Sequence, residues 1–212
     1  MDVCVLTANT GSFEEQVPYV EQSVPYDFYS FDDTNFPPRV NALTPRLQAR
    51  IVKMFAHQMV PDHSVYIWLD SSMTMSHKDA ISWFIEKLGT AQMAVFKHPN
   101  RNTIGEEADY LKKRLDMGCD YITPRYENEL IDEQMAEIDD PDMPLYATTA
   151  FVYRPNLHVK LALKEWWYHT SRYHSVDQLS LAYALDKYSG YFDVNVITEN
   201  LFKSPYLSHT RK

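Results

Sequence analysis

Asp70 is the first residue whose type and position could do chemistry. Val65-Tyr66-Ile67-Trp68-Leu69 is a continuous apolar run of strand length, as expected of a central strand covered on both faces, and it runs straight into Asp70-Ser71-Ser72. Ligands of α/β proteins gather beyond the carboxyl ends of the strands, and hard cations such as Mg2+ or Mn2+ prefer oxygen donors. Asp70 is therefore a candidate metal ligand, with Ser71 and Ser72 as neutral oxygens. The same carboxylate could equally cap the following turn.

Three further groups stand later in the chain. His98-Pro99-Asn100-Arg101 is followed by Glu106-Glu107. Such a loop-to-helix junction could hydrogen-bond sugar hydroxyls, or could be a helix start whose acids answer the positive end of the dipole while Arg101 pairs with them on the surface. In Ser175-Val176-Asp177-Gln178 the first and last residues have capping-box spacing, and Asp177 would project from a helix start as a catalytic or acceptor-binding carboxylate should. The tail, Ser208-His209-Thr210-Arg211-Lys212, offers an imidazole for a metal and cations for phosphates, or else is a frayed basic end.

The elements that must position these groups are legible as hydrophobic patterns. Val3 to Thr7 reads as a buried strand closed by the turn cluster Ala8-Asn9-Thr10-Gly11, and residues 26–31 as a second strand. Thr44 is a good N-cap with Pro45 at the first helical position, and Leu47, Ile51, Phe55 and Met59 repeat on one face until Pro61. Arg46, Arg50 and Lys53 stand on its other faces. Ser76 with Asp79 predicts a capped helix through Leu88, and strands are expected at 65–69, 91–96, 146–153 and 192–197. Helices are expected at 104–117, 125–138, 156–173 and 175–188. Strands alternating with helices predict an α/β sandwich.

Composition narrows the function. The 212 residues, 45% hydrophobic and 23% charged, suit one domain with a real core, and no segment approaches the ~18 uninterrupted apolar residues of a membrane span. Twenty basic against 29 acidic residues, a net charge of −9, argue against duplex nucleic acid as a partner. The five glycines are isolated, which excludes both the G-x-G-x-x-G fingerprint and the P-loop. The high aromatic content, 15 tyrosines among it, suits surfaces that stack on bases or sugars. An acid at position 2 and only two distant cysteines predict a cytoplasmic protein without an export signal.

The order of these features resembles the GT-A type of nucleotide-sugar glycosyltransferase over nearly the whole chain, which implies an α/β, Rossmann-related fold with a central, mostly parallel mixed sheet flanked by helices. In that family the first strand and its loop hold the nucleotide, here Thr7, Ala8 and Asn9, and a D-x-D motif holds a divalent metal on the diphosphate, where this chain has Asp70-Ser71-Ser72. The chain is more closely similar to polysaccharide-type glycosyltransferases of plants and bacteria, with W-[IVL]-D, H-x-x-R-x-x-x-x-E-E-A and W-x-x-x-x-x-R-x-x-x-x-D-Q-[LI]-S-like segments. These stand here as Trp68-Leu69-Asp70, as His98 to Ala108, and as Trp166 or Trp167 through Arg172 to Asp177-Gln178-Leu179-Ser180. It also resembles the glycosyltransferase domains that large algal viruses encode, for which the location would be the host-cell cytoplasm.

The resemblance implies a site. Asp70, Ser72 and His209 would hold Mn2+ or Mg2+; Arg50, Lys53 and Lys212 would neutralise the diphosphate; His98, Arg101 and Glu107 would line the donor or acceptor sugar. Asp177 and Gln178 would be the catalytic pair, and the basic tail would fold over the diphosphate as a lid. The leading expectation is one domain over 1–212, with a nucleotide-binding half of about 1–100 and a sugar and acceptor half of about 101–212. Its function would be metal-dependent transfer of a hexose or deoxyhexose from a UDP-sugar to a glycan acceptor, with retention preferred over inversion. Two other classes stay open: a non-catalytic nucleotide-sugar or glycan-binding module, which the missing second acid would suit, and a nucleotide-sugar hydrolase.

Overall fold

A computed structural model describes residues 2–11, 18–37, 39 and 42–210. The apolar runs become strands where they alternate between two buried faces. β1 (Val3–Asn9), β2 (Asp27–Asp32), β3 (Val65–Leu69), β5 (Met93–Lys97), β6 (Tyr146–Tyr153) and β7 (Val194–Ile197) form one sheet in the order β2-β1-β3-β6-β5-β7, while β4 (Met73–Met75) lies outside it. β1 pairs parallel with β2 and β3, and β5 pairs parallel with β7; β6 runs antiparallel between β3 and β5. This is the mostly parallel mixed α/β sheet that the resemblance implies.

Side chains of successive strand residues enter different layers, because the strand period is two. Cys4, Leu6 and Trp68 join the core under α1 (Pro45–Met59) and α5 (Leu157–Tyr173), whereas Val3, Val5, Ile67 and Leu69 pack with α2 (Ala80–Leu88) on the opposite face. α3 (Ile104–Asp116), α4 (Asn128–Ile138) and α6 (Gln178–Asp186) complete the helical layer. No helix among the described residues is long and apolar enough to cross a membrane.

Helix starts show which capping signals operate. Thr44 caps α1, its side chain accepting from the Leu47 amide, with Pro45 first in the helix. Two expected starts move. α2 begins at Ala80 rather than Ser76, because the Ser76 amide is taken by the Tyr206 carbonyl at 3.0 Å and Asp79 makes no side-chain cap bond. α6 begins at Gln178 rather than at Ser175, whose hydroxyl turns to Gln134 in α4. Both departures have one cause: tertiary hydrogen bonds claim the group that a local cap would have used.

Two short strands have no counterpart in the hydrophobic pattern. β4 and β8 (Leu207–His209) pair antiparallel, with Met73 opposite His209 and Met75 opposite Leu207. Three-residue strands are too short to leave a periodic signal, yet this ribbon carries the chain's end back to the segment following Asp70.

Candidate active site

A cleft of about 630 Å³ opens at the carboxyl ends of β1 and β3. β1 supplies Ala8 and Asn9, and Thr10 is tied to the start of α1 by its hydroxyl bond to the Pro45 carbonyl at 2.5 Å. The β3 ladder extends one residue beyond the strand, the Asp70 amide donating to the Thr149 carbonyl at 2.8 Å. That bond fixes Asp70 at the cleft floor with 27% of its side chain exposed. Among the described residues its polar contacts converge on Oδ1: the Trp68 indole donates at 2.8 Å, Lys53 Nζ lies at 3.3 Å, and an Arg50 nitrogen at 4.0 Å. Oδ2 takes no part in these contacts.

Asp177 lies beside this group but is 2% exposed. The chain reaches it from α5 through His174, whose left-handed backbone (φ 52°) ends that helix, and the Trp166 indole holds the Asp177 carbonyl at 2.7 Å. Oδ2 meets Lys53 Nζ at 2.8 Å and Arg50 Nε at 2.9 Å; Oδ1 accepts from the Thr148 hydroxyl at 3.1 Å and from Arg50 at 3.3 Å. Burial pushes the Asp177 carboxyl up, but the Arg50 and Lys53 cations outweigh it and hold the group well below the usual carboxylate range. Arg50 and Lys53 reach the same carboxylates because residues three apart share a helix face.

The segment through Thr210 also reaches the cleft. His209 and Ser72 line the cleft, Thr210 donates to the Ser72 carbonyl from its amide at 2.7 Å and its hydroxyl at 3.0 Å, and the Phe202 ring meets the His209 ring edge-on at 5.3 Å. Ala8, Asn9, Arg50, Asp70, Ser72, Asp177, Gln178 and His209 are thus brought to one cleft from places spread along the whole chain.

Other expected site residues lie elsewhere. Thr7 is buried and lines a smaller neighbouring cavity with Tyr19 and Tyr26 instead of the cleft. Lys53 sits beneath the floor, fully buried between the rings of Trp68 and Trp166, rather than in the cleft lining. His98, Arg101 and Glu107 are also outside the lining. His98 Nδ1 faces the amides of Asn100 and Arg101, burial and then Arg101 pushing its pKa down to about 4, while Arg101 Nε pairs with Glu107. Lys212 lies outside the described residues.

Sequence reasoning missed Thr148 and Thr149, although two threonines within the otherwise apolar Tyr146–Tyr153 run were a visible signal. It also missed the cleft residues Tyr121 and Arg125, whose segment carries no motif, and Arg46, whose guanidinium covers the Tyr126 ring at 4.8 Å. The donor set for a divalent cation is small: among the described residues no cluster of three or more His, Cys, Asp or Glu is found. Asp70 Oδ2 and the His209 imidazole nevertheless offer oxygen and nitrogen donors on one cleft, of the types that Mn2+ accepts.

Among solved structures, mouse xyloside xylosyltransferase 1 in its apo form is similar, at 10% identity over 93% of this chain and 85% of the other, with a TM-score of 0.44. So is the galactosyltransferase LgtC, in complex with donor and acceptor sugar analogues, at 8% identity over 99% of this chain and 86% of the other, with a TM-score of 0.43. No curated protein sequence matches. The sequence profile of the TOD1/MUCI70 glycosyltransferase-like domain matches residues 41–209, which takes in the W-L-D, H-x-x-R and D-Q segments and His209. The chain belongs to the TOD1/MUCI70 glycosyltransferase-like family.

Proposed function

We propose that this glycosyltransferase takes a UDP-sugar and transfers its hexose or deoxyhexose to a glycan acceptor with the help of a divalent cation. The observation that carries the reading is the shared cleft: the end of β1 for the nucleotide, Asp70 and His209 for a cation on the diphosphate, and Asp177-Gln178 for the sugar. Asp70 Oδ2 and His209 would hold Mn2+ or Mg2+, which when bound supplies charge neutralisation on the departing diphosphate.

The charge balance of the floor supports that need. Arg50 and Lys53 are answered by Asp70 and Asp177, so these four groups sum formally to zero and add little net attraction for a dianion. Arg46 and Arg125, also on the cleft, and Lys212 at the chain's end are the further cations for the phosphates.

Asp177 is a fixed negative charge rather than a proton acceptor, because Arg50, Lys53 and Thr148 occupy both of its oxygens and stabilise the ionised form. Retention then has a simple proton path. The acceptor oxygen attacks the anomeric carbon on the face that the diphosphate leaves; the carbon–oxygen bond to phosphate breaks, and the acceptor proton passes to the leaving phosphate oxygen.

Calorimetry with UDP and UDP-glucose, each with and without Mn2+ and with ADP and GDP as controls, tests the reading. Selective, metal-enhanced binding of UDP compounds is expected. Absence of binding to every nucleotide sinks it. Saturable binding with no turnover on any acceptor points to a binding module, and turnover to water alone under every acceptor condition points to a hydrolase.

A further inference from the structure

Gln178 joins two sequence motifs that lie 71 residues apart. It lines the cleft, and its Nε2 donates to Glu107 Oε1 at 3.3 Å. Glu107 stands in the first turn of α3 and is only 3% exposed; its other oxygen is held by Arg101 Nε. Arg101 is itself fixed, with its guanidinium 4.0 Å from the centre of the Tyr110 ring and its amide facing His98 Nδ1 at 3.1 Å. The turn that carries these groups is tied again by Thr103, which accepts from the Glu106 amide at 3.2 Å, and by Glu106, which accepts from the Asn102 amide at 2.6 Å. Among the described residues, the Gln178–Glu107 bond thus links the His98, Arg101 and Glu107 group to the cleft.

A primary amide is nearly symmetrical in shape, and a half turn exchanges its donor and acceptor ends. Alone on a cleft wall, Gln178 would offer either end to a ligand. A carboxylate with one oxygen occupied by Arg101 can only accept at the other, so it admits one amide orientation.

We propose that Glu107 is a positioning residue: by accepting from Gln178 Nε2 it turns the amide so that the carbonyl Oε1 is presented to the cleft, as acceptor for a sugar hydroxyl. The inference rests on the glycosyl-transfer reading above and deepens it. Under it the H-x-x-R-x-x-x-x-E-E-A segment sets the hydrogen-bonding polarity of the D-Q segment, without itself touching sugar.

The experiment is a swap. Glu107→Gln keeps shape, but Arg101 Nε, which can only donate, holds the new carbonyl and turns the new amide NH2 toward Gln178, reversing the Gln178 amide, so kcat with a UDP-sugar falls about 10- to 100-fold while the donor KM stays within about threefold. Glu107→Gln combined with Gln178→Glu restores a donor behind and an acceptor in front, and brings kcat back to within about tenfold of wild type. A merely structural Glu107 would give no such rescue. A second reading needs no turnover: the Gln178 side-chain 15NH2 resonance, identified by its loss in Gln178→Glu, exchanges slowly in wild type and faster in Glu107→Ala. Wild-type kcat in Glu107→Gln, a double variant no better than Glu107→Gln, or Gln178 amide exchange indifferent to Glu107 overturns the proposal. Should the wild-type protein turn over no UDP-sugar, the transfer reading fails, and amide exchange alone still decides the Glu107 contact.

Discussion

Two charged clusters in this molecule are built from the same kinds of residue and meet opposite fates. In the first, Arg50, Asp70 and Asp177 line the cleft over the buried Lys53 that pairs with both acids, and one member, Asp70, keeps 27% of its side chain exposed. In the second, His98, Arg101 and Glu107 close on one another outside the cleft lining, and Glu107 meets the cleft residue Gln178. The difference is one of access: the end of a central strand delivers Asp70 to the cleft beyond the carboxyl ends of the strands, whereas Glu107 in the first turn of α3 is buried. An acid next to a cation is thus no evidence of ligand contact until the path to solvent is known.

The comparison can be broken most sharply at Asp70. Asp70→Ala is expected to lose metal-enhanced UDP binding by at least about 100-fold, a capping role alone costing about 0.5 to 2 kcal/mol of stability; calorimetry and urea unfolding measured together separate the two, and undiminished binding ends the metal role. Lys53→Met should cost about 3 to 5 kcal/mol in urea unfolding, because it leaves Asp177 buried without its ammonium partner. Arg101→Met should cost less, about 1 to 3 kcal/mol, since burial already pushes the Glu107 carboxyl up and the group can protonate once Arg101 is gone. Equal costs would mean that the two clusters are equivalent after all.

Acid separates them as well. The His98 pKa is depressed to about 4 from an ordinary 6.5, so the unfolded chain takes up a proton first, and this contribution to stability is lost as pH falls from about 6.5 toward 4. Asp177 is depressed below the ordinary carboxylate value of about 4, so its contribution persists until lower pH and is lost only beneath that value. Urea midpoints measured from pH 7 to 3 should show the first limb weakened in His98→Gln and the second limb unaffected. The smallest effects concern helix starts: Thr103→Ala should cost about 1 kcal/mol, and Asp79→Ala less than about 0.5, because only Thr103 accepts a helical amide. Thermal or urea unfolding reads both.

Much of the fold was legible because each long element buries one periodic face. The run Val65–Leu69 could only be a central strand, and Thr44-Pro45 could only open a helix, since period and cap depend on neighbours a few residues away. The register of β4 on β8 was not legible, for three residues carry no period. Asp70, Asp177, Gln178 and His209 were recognisable as chemically able, and their order along the chain resembled a known family. Their depth was not recognisable. Lys53 and Arg50 occupy one helix face in sequence, but Trp68 and Trp166, which come from a strand and a helix far along the chain, enclose the Lys53 ammonium.

The sequence by itself determined the periodic elements, the caps made within a turn and the residue types able to hold a metal or a phosphate, because those depend on local backbone geometry and side-chain chemistry. Tertiary structure alone decided which carboxylate stays part-exposed on the cleft, which ammonium is enclosed and which amide Glu107 faces. Those outcomes depend on burial and on hydrogen bonds between residues such as Lys53 and Asp177, 124 positions apart, which only the packed chain brings together.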